Sequence, residues 1–197
     1  MHMLFDKLHS NLHKDLTSLV VAGVGTGDEW QPFLKRYPKG HAFGFEPNPQ
    51  QFKAAQKRWP KSSVAQLALW DRTCKLAMLG KKNCTRLRPP GIESKELGVN
   101  AVRLDQLRLQ LGDSCFLWLD CEGAELYALD GCIGVMSSIA AINVEVRTKA
   151  QARKHYPDDF LFAHDEAVLE FLTHHGFKVI LTHNVTNRKR DLLCVRM

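Results

Sequence analysis

The stretch Leu19-Val20-Val21-Ala22-Gly23-Val24-Gly25-Thr26-Gly27-Asp28-Glu29 decides the fold of this 197-residue chain. Its apolar start reads as a buried strand. The glycines at 23, 25 and 27 let the backbone turn sharply and let a ligand come close to peptide N–H groups. A helix over residues 28–36 is expected to follow. Strand, glycine loop and helix in that order open a parallel α/β unit, which binds ligands at the carboxyl ends of its strands. The next strand, Ala42-Phe43-Gly44-Phe45-Glu46, ends on an acid about 20 residues beyond the loop, where a carboxylate hydrogen-bonds a ribose diol in nucleoside-binding sites.

Charge at the loop separates the candidate nucleosides. The last glycine of a G-x-G-x-x-G loop would fall at position 28, where the chain has Asp28 followed by Glu29. Two carboxylates at a helix N-terminus repel a pyrophosphate, whereas S-adenosylmethionine has no phosphate and carries an amino group and a sulfonium cation. The expected cofactor is therefore S-adenosylmethionine rather than NAD. Gly23, Gly25, Gly27, Glu46 and Pro47 are its expected binding residues, and Asp71 either faces the adenine amino group or caps its loop.

Outward from the loop, strand-like and helix-like segments alternate, which predicts a sheet covered by helices on both faces. A helical segment over 4–16 opens the chain, and a helix over 50–58 follows Pro47-Asn48-Pro49. A third strand is expected over 63–69. The Lys/Gly-rich stretch 72–98 reads as short strands or a loop over one end of the sheet. Cys115-Phe116-Leu117-Trp118-Leu119 is the most apolar strand, hence central, and a helix starts near Ala124. A fifth strand over 139–146, a helix over 165–175 stopped by Gly176, and an antiparallel hairpin of 177–182 with 191–195 complete the order. This predicts one domain over 1–197: an N-terminal helix in 1–17, a cofactor-binding core over 19–147, and a C-terminal helix and hairpin over 165–197.

Composition narrows the function classes. Hydrophobic residues make up 45% of the chain, enough for a real core. No apolar run reaches about 18 residues and the polar N-terminal stretch lacks a signal-peptide core, so a cytoplasmic protein with no membrane partner is expected. The net charge of +6 is spread over Lys81-Lys82, Arg86/Arg88 and Arg188-Lys189-Arg190, which read as solvated loops and make nucleic acid a secondary partner. Six cysteines without a C-x-x-C pair predict reduced thiols and no zinc framework. The histidines, His155, His164 and His183 among them, lack ligand spacing and read as surface or boundary residues; no metal is expected. Of the tryptophans only Trp30, just past the loop, stands near the expected site.

Leu119-Asp120-Cys121-Glu122-Gly123-Ala124-Glu125 puts three acids at and beyond the carboxyl end of the central strand. If the strand pattern continues, Asp120 and Glu122 point the same way, toward the cleft. Glu125 reads equally well as a first-turn partner of the next helix dipole.

Together with Gly44-Phe45-Glu46-Pro47-Asn48-Pro49, Val102-Arg103-Leu104-Asp105-Gln106-Leu107 and Asn143-Val144-Glu145, these motifs resemble an FkbM-type methyltransferase. The resemblance spans about residues 19–147 in the family's order. It implies a Rossmann-like seven-stranded methyltransferase sheet, mostly parallel with a C-terminal antiparallel hairpin, and methyl transfer to a hydroxyl of a sugar or small metabolite. The family usually has an acid two residues before the first loop glycine, where this chain has Val21, leaving Asp28 or Glu29 to compensate. Asp120 or Glu122 is expected to orient and partly deprotonate the acceptor, with Glu145 next, and Asp120 also to reach the cofactor. The competing readings are an RNA- or protein-directed methyltransferase and a cofactor-binding protein without catalysis.

Overall fold

Apolar runs broken by glycine, proline and acids become eleven strands and six α-helices among the described residues. The computed structural model describes residues 2–12, 14–59, 63–81, 84–90, 98–155, 164–186 and 189–197. In chain order the elements are α1 (His2–His9), β1 (Ser18–Ala22), α2 (Trp30–Arg36), β2 (His41–Phe45), α3 (Pro49–Arg58), β3 (Ser63–Ala65), β4 (Ala68–Leu69), β5 (Cys74–Lys81) and β6 (Cys84–Arg88). They continue with β7 (Gly98–Val102), β8 (Cys115–Leu119), α4 (Glu125–Asp130), β9 (Ile139–Val146), α5 (Lys149–His155), α6 (Asp165–His174), β10 (Phe177–Asn184) and β11 (Arg190–Arg196).

Seven strands form the main sheet in the order β10-β11-β9-β8-β1-β2-β3. All pairings are parallel except those of β11, which runs antiparallel to both β9 and β10. Alternation along the central strands explains the two helical layers. Val20, Ala22, Leu117 and Leu119 share one core with Leu126 and Leu129 of α4 and Val168 and Leu172 of α6. Leu19, Val21, Phe116 and Trp118 face the other way, against Phe5 and Leu8 of α1, Trp30 and Phe33 of α2 and Ala55 of α3. A strand covered on both faces favours apolar side chains throughout, which is why β8 is an unbroken hydrophobic run and β1 is one after Ser18, whose buried hydroxyl donates to the Leu111 carbonyl.

The sequence expectation differs from the structure in three places, at 63–69, at the first helix and at the start of α2. The expected strand over 63–69 is two strands: β3 pairs with β2, while β4 leaves the main sheet and pairs with β7, Ala68 opposite Ala101. Stretch 72–98 takes the short-strand alternative of its reading: it holds β5 and β6, which with β4 and β7 make a second sheet in the order β4-β7-β5-β6; residues 82–83 and 91–97 lie outside the described ones. The first helix stops at His9 instead of reaching 16, because Ser10 Oγ and Asn11 Nδ2 donate back to the Lys7 carbonyl and close its last turn. Helix α2 begins at Trp30, leaving Asp28 and Glu29 in the turn before it.

Candidate active site

The site grows from the junction of β1, β2 and β8. Gly23 N donates to the Phe45 carbonyl at 2.9 Å and Asp120 N donates to the Ala22 carbonyl at 3.0 Å, so the three strand ends are tied together. Gly23 has φ +82°, and a Cβ there would lie 1.9 Å from the Asp120 carbonyl oxygen. Gly25, at φ +51°, turns its N–H toward Glu46 Oε2 at 3.0 Å, and Asn48 N reaches Glu46 Oε1 at 2.8 Å. Glu46 is 2% exposed; burial raises its pKa and the two amide donors pull it down.

A cavity opens where these ends meet. Gly23, Gly25, Glu46, Pro47, Asp120 and Glu122 line it, with Leu69 from β4 and Leu87 from β6 bringing the second sheet to its wall. Two expected cofactor residues stand elsewhere. Gly27 packs against Trp59, whose Nε1 donates to the Thr26 carbonyl. Asp71 takes a two-pronged contact from Arg72 at 3.0 and 2.8 Å, and its carbonyl accepts from Arg103. It is therefore a joint of the second sheet and lies outside the cavity lining.

The acidic turn after β8 is built by Glu125. Its Oε1 accepts from Cys121 N and Gly123 N, each at 3.1 Å, and burial pushes its pKa up to about 7. Glu125 thus stands in the first turn of α4, as the helix-partner reading has it, and also anchors the turn before that helix. Glu122 sits at φ +51°, so the strand pattern does not carry on past Leu119. The turn, not strand alternation, brings Glu122 to Asp120, and oxygens of Asp120, Glu122 and Glu145 lie within 4.8 Å of one another.

The cation among these acids comes from a region read as solvated. Lys189 Nζ lies 2.9 Å from Glu122 Oε1 and 2.5 Å from Glu145 Oε1, and Arg147 lies 3.0 Å from Glu122 Oε2. Burial would lower the Lys189 pKa, but hydrogen bonds to Glu145 and Glu122 raise it above its ordinary value. Neighbouring Arg190 pairs with Asp165, so two cations of the Arg188-Lys189-Arg190 cluster are engaged inside the molecule; Arg188 lies outside the described residues. Asp120 differs from its neighbours. Its Oδ1 is buried without a hydrogen-bond partner, and burial, then Glu145 and Glu122, push its pKa up to about 6.

Further groups were missed or misread from sequence. Lys189 and Arg147 had a signal: a last antiparallel strand starts at the edge where parallel strands end, so basic residues before it and after β9 meet there. Asn143, 1% exposed and two residues before Glu145 on the same strand face, has both amide atoms buried and unpartnered. His164 is not a surface histidine: it is 5% exposed and its Nδ1 accepts from Ala167 N, capping α6. Trp30 is fully buried in the core. Val21, at the position where an acid was expected, is also fully buried there. Of the two acids after the loop, Asp28 pairs with Arg58 at 2.6 Å. Glu29 keeps a buried, unpartnered Oε2, and burial raises its pKa to about 7.

Comparison with known proteins agrees with this geometry. The model of the methyltransferase FkbM domain matches residues 20–179. No curated protein matches the chain. Among solved structures, the chain resembles the precorrin-6y C5,15-methyltransferase of Geobacter metallireducens, with a TM-score of 0.54 and 16% identity over 99% of this chain and 86% of that one. It also resembles the plantazolicin methyltransferase BpumL solved with SAH, at a TM-score of 0.55 and 9% identity over 100% and 82% of the two chains. An S-adenosylmethionine-dependent methyltransferase of Clostridium acetobutylicum gives a TM-score of 0.53 and 9% identity over 99% and 89%. At such identities these likenesses speak for the fold, while the family match covers most of the chain: it belongs to the FkbM methyltransferase family.

Proposed function

We propose that the chain methylates a hydroxyl oxygen of a sugar or small metabolite, with Asp120 taking the hydroxyl proton. The observation that carries this reading is the buried, unpartnered Oδ1 of Asp120 at the cavity, on a group whose pKa lies at about 6. A base tuned there is ionised at neutral pH yet still basic enough to accept a proton.

The residues fit the cofactor. Glu46, with capacity left on both carboxylate oxygens, would hold the ribose hydroxyls, and the Gly23 and Gly25 backbone would lie along the nucleoside. The unpartnered acid oxygen of Asp120 at the cavity suits a cationic ligand and would repel a pyrophosphate. Bound S-adenosylmethionine supplies a methyl group on a sulfonium sulfur, open to in-line displacement. The chain's own tasks are to orient the acceptor, exclude water and accept the proton at Asp120. Engagement of Lys189 and Arg190 in internal ion pairs weighs against the RNA-directed reading.

Calorimetric titration tests the cofactor half. S-adenosylmethionine and S-adenosylhomocysteine bind wild type and NAD does not. Glu46→Ala weakens binding by about 10- to 100-fold, the worth of hydrogen bonds to a charged group. For the chemistry, transfer of a labelled methyl group to a panel of hydroxyl acceptors falls by about 10²- to 10⁴-fold in Asp120→Asn. Wild-type turnover declines as pH drops through about 6, because the base becomes protonated. Full turnover in Asp120→Asn sinks the assignment.

A further inference from the structure

Lys189 reaches the active site from the start of β11. Strand β11 runs against its neighbours, so its first residues lie at the edge where β8 and β9 end. Lys189, one residue before β11, is thereby delivered to that edge. Its side chain, 20% exposed, crosses the end of β9 to reach Glu122 beyond β8. A lysine so placed gives up much of its hydration. Buried ion pairs contribute little net stability, so its place there calls for a purpose in the site.

Charge bookkeeping shows what that purpose is. Three carboxylates converge within 4.8 Å, and two cations, Lys189 and Arg147, stand among them. Glu122 is clamped by one cation on each oxygen and Glu145 is held by Lys189. Among the described residues no cation pairs with Asp120.

We propose that Lys189 is a positioning residue of the acceptor site: shared between Glu122 and Glu145, its ammonium fixes both carboxylates, leaving Asp120 as the carboxylate free to meet an acceptor hydroxyl. The role rests on the hydroxyl-acceptor reading above, but its physical core, the hold of Lys189 on the acids around Asp120, is measurable without any acceptor.

The groups facing Asp120 are Glu29, Glu46, Cys121, Glu122, Glu125, Glu145, Arg147, Lys189 and Asp191. Most are acids, so loss of the Lys189 charge makes ionisation of Asp120 harder. The experiment is a carboxyl carbon NMR titration of the cofactor-free protein, with the Asp120 signal assigned through Asp120→Asn. Lys189→Met raises the Asp120 midpoint by about one pH unit or more, while Lys189→Arg, which keeps the charge, stays within about half a unit. Glu145→Gln lowers the midpoint, and serves if Lys189→Met does not fold. With an active acceptor, Lys189→Met loses turnover about tenfold at pH 6, recovers most of it at pH 8, and binds S-adenosylhomocysteine as wild type does. An unmoved Asp120 midpoint in Lys189→Met, or in Glu145→Gln, overturns the proposal. A moved midpoint with no hydroxyl methylated by wild type instead removes the functional reading and leaves the electrostatic role standing.

Discussion

Gly23 and Gly25 look alike in the sequence and differ in the molecule. A methyl group on Gly23 would meet the main chain of Asp120 at 1.9 Å, and main chain cannot rotate away. Gly23→Ala is expected to cost roughly 3 kcal/mol or more, from overpacking added to the positive φ, read as a fall in urea midpoint. Nothing lies within 4 Å of a Cβ at Gly25, so Gly25→Ala costs only about 1–2 kcal/mol of backbone strain. Its new methyl enters the cavity, so weaker S-adenosylhomocysteine binding accompanies the small stability loss. Equal destabilisation of the two variants contradicts this division. The spacing of the loop was legible, and so was Glu46 at a strand end. That Gly27 serves Trp59 and Asp71 serves Arg103 was not, because those partners are 32 positions away in each case.

At the level of elements, α3 shows how local chemistry sets a boundary. Asn48 Oδ1 accepts from Gln50 N at 2.9 Å and Gln51 N at 3.4 Å, and Pro49 follows at the first helical position. Asn48→Ala removes that cap and is expected to cost about 1 kcal/mol, or about 2–4 °C in Tm, in a calorimetric scan; an unchanged Tm refutes the role. Boundaries of this kind were readable: β8 falls on residues 115–119 and β9 on 139–146, as the apolar runs indicated. The stretch 63–69 defeated the same reading. Nothing in Ser63-Val64-Ala65-Gln66-Leu67-Ala68-Leu69 marks a break, and the pairing with Ala101 and Val102 is what puts Ala68 and Leu69 in a second sheet.

For the whole molecule, burial of acids, reinforced by their acidic neighbours, makes stability depend on pH. Glu29 and Glu125 have folded pKa values of about 7, and Asp120 of about 6, against ordinary values of 4.5 and 3.8. Raised values mean that the folded chain holds these protons more tightly than the unfolded chain. Their stabilisation is present below about pH 4 and is lost as pH rises through 6 to 7. Asp105, lowered by its hydrogen bonds with Arg103, works the other way and loses its contribution as pH falls below the ordinary carboxylate range. Thermal melts are therefore expected to show a lower Tm at pH 8 than at pH 5, with a smaller difference in Glu29→Gln; an identical pH slope in that variant removes Glu29 from the account. The succession of most strands and helices, the two-faced burial, the glycine loop and the carboxyl-edge acids were legible in the residues alone, because these follow from residue periodicity and from neighbours a few positions apart. Only the tertiary structure decided which acids stay free. Lys189 reaches Glu122 across 67 positions and Arg147 across 25, and such pairings exist only once the antiparallel β11 brings its first residues to the edge where β8 and β9 end.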